Sequence, residues 1–377
     1  MKMQRLIAMA RKETIHVLRD WRSLFLAIAI PALLILLFGW ALDMDLNRVP
    51  TVVWDQSRTP ASRELLSLLG GSPYFDIRGE RDSYDALEEE IEHSRAMVAL
   101  IVPSHFSDAV EGGRPVAVQV VVDGSDANTA RLALAYVGAI GRLYNAQLRA
   151  ERLNRMGGGR IDPPIALEAR AWYNPTLRSR NGLIPGIIAI VMVVIAAMLT
   201  SVTVAREWET GTMEQLISTP VRPAEILLGK VAPYFVIGMA DVTISVVMGR
   251  WVFGVPIRGN AGLVFAVSAV FLIGALFFGL MLSVALKTQV LANQAALLGS
   301  YLPTMLLSGF VFAIENMPPP IQAITYLFPG RYFIFMTRAI FMKGIGLEIL
   351  WFNALLLVAY AALMIFLAHK RLKLKLE

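Results

Sequence analysis

The chain has 377 residues, 56% of them hydrophobic and only 17% charged, and it contains no cysteine. Soluble domains carry nearer a quarter charged, so this composition excludes a disordered chain, a disulfide scaffold and an ordinary water-soluble globule, leaving a membrane protein with a soluble part. The net charge of +6 is an average: residues 43–182 hold 16 Arg, no Lys and 19 acids, a balance of −3, while the remainder holds 19 basic and 10 acidic residues, +9.

Residues 1–22 place Met3, Leu6, Ile7, Ala10, Thr14, Val17, Leu18 and Trp21 at helical spacing, with Lys2, Arg5, Arg11, Lys12, Glu13 and Arg19 mostly elsewhere. That pattern predicts an amphipathic helix. Its basic face and Trp21 suit the anionic cytoplasmic leaflet; the alternative is a simple topogenic leader.

A hydrocarbon core of about 30 Å needs about 20 apolar residues in a helix. Six stretches qualify: 23–42, 183–205, 226–248, 261–286, 290–314 and 349–368. The first reads as a retained anchor, because its apolar run exceeds the roughly 7–15 residues of a signal peptide and no small-x-small cleavage site precedes Asp43-Met44-Asp45. The third contains Lys230 near one end, where it is expected to reach the interface, and Asp241 well inside. Basic residues crowd both ends of the chain, including Lys370, Arg371, Lys373 and Lys375 in the tail 369–377. With an even number of spans, both termini are cytoplasmic and 43–182 lies on the other side. Basic flanks beside apolar runs are a topology signal, not a nucleic-acid surface.

Within 43–182, short β-branched runs (51–54, 75–77, 97–102, 116–122) alternate with helical ones (62–69, 84–92, 106–110). The expectation is an α/β domain with a small mixed or parallel sheet. Asp126 is placed to cap a long helix to about Arg155, closed by Gly157-Gly158-Gly159, before a last strand over 165–173. Asp123-Gly124-Ser125-Asp126 lacks the further acids of a calcium loop, so it reads as a turn and cap. The cluster Glu88-Glu89-Glu90-Glu92 reads as a solvated helix face. No catalytic constellation can be assembled, the four His are scattered, and no metal site is indicated.

The loop 206–225 between the second and third spans is the most chemically dense segment. Glu207, Glu209 and Glu214 flank a Gly211-Thr212 break that can start a new helix, with Met213, Leu216 and Ile217 packing on one side and Glu214 accessible. Pro220 and Pro223 limit that helix, and Glu225 begins the next one. Asp241 falls near mid-bilayer, about eleven residues from Lys230 at 1.5 Å per residue; an acid there either contacts a cationic substrate or lines a path, or else it is protonated or bonded to a neighbouring helix. Asn293 and Gln294 open the fifth span. Residues 315–348 are interrupted by Pro329-Gly330 and by Arg331, Arg338 and Lys343, which predicts a re-entrant or interfacial pair of helices. No phosphate-binding loop exists: at Gly229-Lys230 position 224 is Ala and Val231 follows the lysine.

The run from Arg206-Glu207 through Glu214-Gln215-Leu216, Thr219-Pro220-Val221-Arg222-Pro223 and Ile226-Leu227-Leu228-Gly229-Lys230 resembles the loop of ABC type-two exporter permeases, in the multidrug-export-like branch with a large extracytoplasmic domain. Asp55-Gln56-Ser57, Ile101-Val102-Pro103-Ser104-His105-Phe106, Tyr173-Asn174-Pro175, Ile184-Pro185-Gly186 and Phe328-Pro329-Gly330-Arg331-Tyr332 follow in the same order, so the resemblance spans essentially the whole chain. It implies a six-span α-helical membrane protein with an α/β domain between spans 1 and 2. It also implies a coupling helix that engages a separate ATPase, with Arg206, Glu207, Glu209, Gly211, Thr212, Glu214, Gln215, Thr219 and Pro220 as the coupling residues. Asp241, Asn293 and Gln294 become candidates for the translocation path, and Pro329, Gly330 and Arg331 for an outer gate. The implied partners are a cytoplasmic ABC ATPase that supplies ATP and Mg, a second permease subunit (identical or paralogous), a periplasmic membrane-fusion adaptor, and membrane lipids. The expected location is the bacterial inner membrane. The chain itself is expected to bind no cofactor and to catalyse nothing, and hydrophobic drug-like compounds fit the branch as cargo. A non-transporting receptor with 43–182 as its sensor is the rival reading, as is an exporter of lipid, glycan or ions.

Overall fold

The structure is a computed structural model, and it describes residues 3–41, 48–125, 127–155, 173–174 and 178–372. The expected cap at Asp126, the turn at 157–159 and all but the last residue of the strand over 165–173 lie outside the described residues. The chain divides into two compact units, one of residues 45–169 and one formed by 1–44 with 170–377.

The smaller unit is α/β. Its strands β1 (Val49–Asp55), β2 (Phe75–Glu80), β3 (Val98–Val102) and β4 (Gln119–Val122) form one sheet in the order β2-β1-β3-β4. β1 pairs in parallel with β2 and β3, and β3 pairs antiparallel with β4, so the sheet is mixed. Because side chains alternate across a strand, Val98, Leu100 and Val102 join one core with Leu65, Phe75, Phe106 and Tyr144. Ala99 and Ile101 join Val52 and Leu87 on the other face. Helices α3 (Pro60–Gly70), α4 (Tyr84–Glu92), α5 (Phe106–Glu111) and α6 (Ala127–Arg155) complete the unit. Thr59 and Ser62 form a capping box at the start of α3, and Ser83 caps α4. The Asp55-Gln56-Ser57 motif is explained by this turn: the buried Asp55 carboxylate accepts from the Ser57 and Arg58 amides, each at 3.0 Å, and from the Ser62 hydroxyl at 2.6 Å. Asp123 likewise accepts from the Ser125 amide at 2.9 Å, an Asx turn.

The larger unit is helical. After α1 (Met3–Arg19) and α2 (Trp21–Ala41) come α7 (Ser179–Glu209), α8 (Thr212–Ile217), α9 (Pro223–Trp251), α10 (Ala261–Leu286), α11 (Gln289–Leu307), α12 (Pro319–Thr325), α13 (Pro329–Arg338) and α14 (Leu347–Arg371). Among the described residues, α7, α9, α10, α11 and α14 are long and apolar enough to cross a membrane. The first expected span, 23–42, overlaps α2, an apolar helix of 21 residues. Helix α7 forms the centre. It meets α10 through small residues, as helices in an apolar solvent do: Gly279 leaves room for the Ala197 carbonyl, Thr200 Oγ1 donates to the Leu276 carbonyl at 2.8 Å, and Ser283 Oγ accepts from the Val204 and Ala205 amides.

The fifth apolar helix is shorter than the expected 290–314, since α11 stops at Leu307. Ser308 turns its hydroxyl back to the Thr304 carbonyl, Gly309 takes a left-handed φ of 81°, and the Phe310 ring then seats against Gly186 of α7. A notch for an aromatic ring replaces another turn of helix. Beyond it, residues 319–343 form two short helices and a π-helical turn, Ala339–Lys343, rather than one long rod. Helix α13 is wedged inward: Phe333 stacks on Phe271 of α10 at 4.1 Å between ring centroids.

Candidate functional site

Helix α1 crosses α9 where α9 has no side chain to obstruct it. A Cβ at Gly229 would lie 2.7 Å from Met9 Cβ, so the glycine permits the close approach, and the approach buries its neighbour. Lys230 is 1% exposed. Its ammonium lies 2.9 Å from Glu13 Oε1 on α1 and 3.0 Å from Glu207 Oε2 on α7. The Glu13 contact is a hydrogen bond; the Glu207 contact is an ion pair without hydrogen-bond alignment. Lys12 closes the network with a 2.8 Å bond to Glu207 Oε1. Lys230 does not extend into solvent: two carboxylates held by other helices neutralise it in place, and α1 covers it. Three buried charges persist here because each has an opposite partner at contact distance.

The candidate coupling residues divide by exposure. Glu207 is 7% exposed and committed to Lys12 and Lys230. Arg206 is half-buried, with Nε donating to Gln289 Oε1 at 3.3 Å and Nη1 lying 3.0 Å from His16 Nε2. Glu209 is exposed and accepts from the Gln289 amide at 2.8 Å and from its side chain. Gly211 then adopts a left-handed φ of 71°, which glycine takes without steric cost, and α8 begins at Thr212. The single turn and a half of α8 buries Met213 fully, half-buries Leu216 and Ile217, and leaves Glu214 and Gln215 exposed. Thr219 closes the helix by donating to the Leu216 carbonyl at 2.6 Å. The exposed Pro220 offers its carbonyl to Arg5 of α1, so α1 touches the loop at both ends. Pro223 opens α9, and Glu225 Oε2 accepts from the Arg222 amide at 3.0 Å.

The three candidate path residues are not brought together. Asp241 is 5% exposed, and its Oδ1 has no hydrogen-bond partner among the described residues, nor has the neighbouring Ser245 hydroxyl. Both face a narrow cleft of about 10 Å³ under Pro31, Ala196 and Leu272, room for about one water. Asn293 instead lines a cavity of about 540 Å³ between α1, α2, α7 and α9. Gln294 is exposed on α11. Tyr234 and Leu199 border both spaces.

At the other candidate position, Pro329 and Gly330 are buried at the start of α13, where Gly330 packs against Thr304 of α11. Arg331 folds back over α12: it donates to the Gln322 carbonyl at 3.3 Å and to Thr325 Oγ1, and stacks 3.7 Å above the Tyr326 ring. Arg338 ties three segments by donating to the carbonyls of Gly182, Gly309 and Phe310.

A profile described as ABC-2 family transporter protein matches residues 21–370. The chain belongs to the ABC-2 transporter family. This ABC-2 permease is 35% identical to the probable multidrug ABC transporter permease YbhS of Escherichia coli K12 over 375 residues, covering 99% of the chain and 98% of that relative. It is 28% identical to the probable multidrug ABC transporter permease YbhR of the same strain over 351 residues, 92% of each. It is 27% identical to the inner membrane transport permease YhhJ over 323 residues, covering 84% and 82%. The permease is therefore a multi-pass membrane protein, in keeping with the five long apolar helices among the described residues.

Sequence reasoning missed Glu13, Lys12 and Arg338. A signal for Glu13 was present: it follows Met9 by four residues, the spacing that puts both on one helical face, and both are buried. An acid on the covered face of one helix and a lysine inside an apolar helix are each costly alone, which is the sequence-level hint that they meet. Arg338 left no such signal, because its partners are backbone carbonyls.

Proposed function

We propose that this permease is the membrane subunit of an ATP-driven exporter that moves hydrophobic, drug-like compounds out of the cytoplasm or inner leaflet of a bacterial inner membrane. The observation that carries this reading is α8: a short amphipathic helix hung between two long apolar helices, seated on Met213 and presenting Glu214 and Gln215 outward. A separate ATPase gripping that face supplies the energy, with ATP and Mg bound by the partner, because the chain has no phosphate-binding loop. Gln215 and Glu214 then make the direct contact. Glu207 acts behind them, joining the end of α7 to α1 and α9.

In this arrangement both termini and α8 are cytoplasmic, residues 43–182 lie outside, and α2 is the first of six spans. Two permease subunits, identical or paralogous, enclose the path, and a periplasmic adaptor docks on the outer domain. The ATP-bound partner drives transport only if it favours one conformation of the pair. Vesicles containing the permease and its ATPase test the reading directly: ATP-dependent accumulation of a hydrophobic cation is expected, and its absence despite active ATPase would reject drug export.

A further inference from the structure

The 540 Å³ cavity has two unlike ends. Leu24, Ala27, Met198, Leu199, Val202 and Ile237 make an apolar wall, while Lys12, His16, Arg206 and Asn293 gather at the polar end. Its volume falls within the roughly 300–1,000 Å³ of small-molecule sites. It is partly open.

The charges decide the ligand's sign. Lys12, Lys230, Glu13 and Glu207 cancel one another within their network. Asp20, the third acid on the lining, has an interaction of its own, and with it the three acids equal the three fixed cations in number, so the placement of each cation decides what ligand it can take. Arg206 is different: its contacts are the neutral amide of Gln289 and the ring of His16, and no carboxylate lies within ion-pair distance among the described residues. His16 accepts at Nε2 in that contact only as the neutral imidazole. The half-buried Asn293 amide also lacks a hydrogen-bond partner among the described residues. The polar end thus offers a guanidinium, an ammonium with spare donors and an amide. A cationic amphiphile would meet the uncompensated Arg206, whereas a phosphate would satisfy it in fork geometry.

We propose that this cavity binds one anionic phospholipid, its phosphate on Arg206 and Lys12 and one acyl chain along the wall of α2, α7 and α9. Basic pockets between membrane helices on the cytoplasmic side take such headgroups. The inference rests on the cytoplasmic placement of α1 and the loop given above, but not on transport. The lipid would bridge α1 to the first residue of the coupling loop, and cargo would pass elsewhere.

The test uses the full-length protein, purified in detergent and exchanged with phosphatidylglycerol, phosphatidylcholine or inorganic phosphate, with bound lipid counted by native mass spectrometry. One phosphatidylglycerol per chain is expected, held in preference to phosphatidylcholine. Arg206→Gln is expected to lower retention about tenfold, as the loss of one charge-assisted contact does, and Leu199→Trp is expected to lower it about as much by filling the space of the acyl chain. Unchanged retention in Leu199→Trp, equal binding of phosphatidylcholine, or displacement of the lipid by millimolar inorganic phosphate would overturn the proposal, the last in favour of a free-anion site. Because retention is read without the ATPase, a failed transport assay leaves this result standing.

Discussion

The Lys230 ammonium lies 3.0 Å from Glu207 Oε2, joining the third residue from the end of α7 to the eighth residue of α9 behind the intervening α8. Any movement of α8 therefore acts on a segment whose two ends are clamped, and the clamp extends to α1 through Glu13.

Removing the shared cation takes from buried Glu13 its closest partner and leaves Lys12 as the one cation serving both acids, at 2.8 Å from Glu207 and 3.8 Å from Glu13. Lys230→Met is expected to cost about 3–5 kcal/mol, the usual penalty for breaking a buried pair from one side. Glu207→Gln is expected to cost less, because Lys230 keeps Glu13. Thermal unfolding of the purified protein measures both, and equal loss in the two variants would show that α1 contributes nothing.

Glu207 and Glu214 are expected to separate stability from assembly. Glu214→Ala touches only an exposed side chain, so the melting temperature should stay unchanged while copurification of the ATPase falls. Glu207→Ala should lower the melting temperature first. A complex that survives Glu214→Ala and Gln215→Ala together would remove α8 as the grip.

The α7–α10 contact sets a steric prediction. Gly279→Ala pushes a methyl into the Ala197 carbonyl and Thr200, which cannot both withdraw, and should destabilise by about 1–3 kcal/mol. Gly182→Ala on α7 meets nothing within 4 Å and should be neutral or slightly stabilising. The pair of melting curves checks this directly.

Asp241→Asn keeps the shape of the side chain and removes an ionisable carboxyl whose Oδ1 has no partner among the described residues. If the acid is structural, the melting temperature and substrate-stimulated ATPase move together. A role in the path predicts instead that stability holds or rises while stimulation by hydrophobic cations changes.

The smaller unit carries a pH dependence of its own. The Arg81 hydrogen bond holds the Glu90 carboxyl below its usual 4.5, against an opposing desolvation, with help from the charges of Arg81 and Arg95. A folded-state value below the unfolded one gives stability that is present above pH 4.5 and lost as pH falls through the folded value. Hydrogen exchange of the β1 and β3 amides should accelerate over that window, and Glu90→Gln should flatten the response.

The same carboxylate shows how far sequence reasoning extends. Glu88, Glu89, Glu90 and Glu92 read alike as a solvated face, yet Glu90 alone among them bonds both Arg81, at 2.9 Å, and Arg95, at 3.1 Å. Period and composition identify the helix; they do not say which of its charges meets a partner from another segment.

The sequence by itself determined the membrane class, the long apolar helices, the α/β character of the smaller unit and the amphipathic α8 with Met213 inward and Glu214 outward. Each of these follows from local periodicity and from residues that break it. Tertiary structure alone decided that Lys230 is buried between Glu13 and Glu207, that α11 ends at Leu307 to seat Phe310 on Gly186, and that Asn293 and Asp241 face separate cavities. Those outcomes depend on contacts between residues distant in the chain. Glycines such as Gly229 and Gly186 permit the close approaches, and the cost of a lone buried charge selects which side chains must meet.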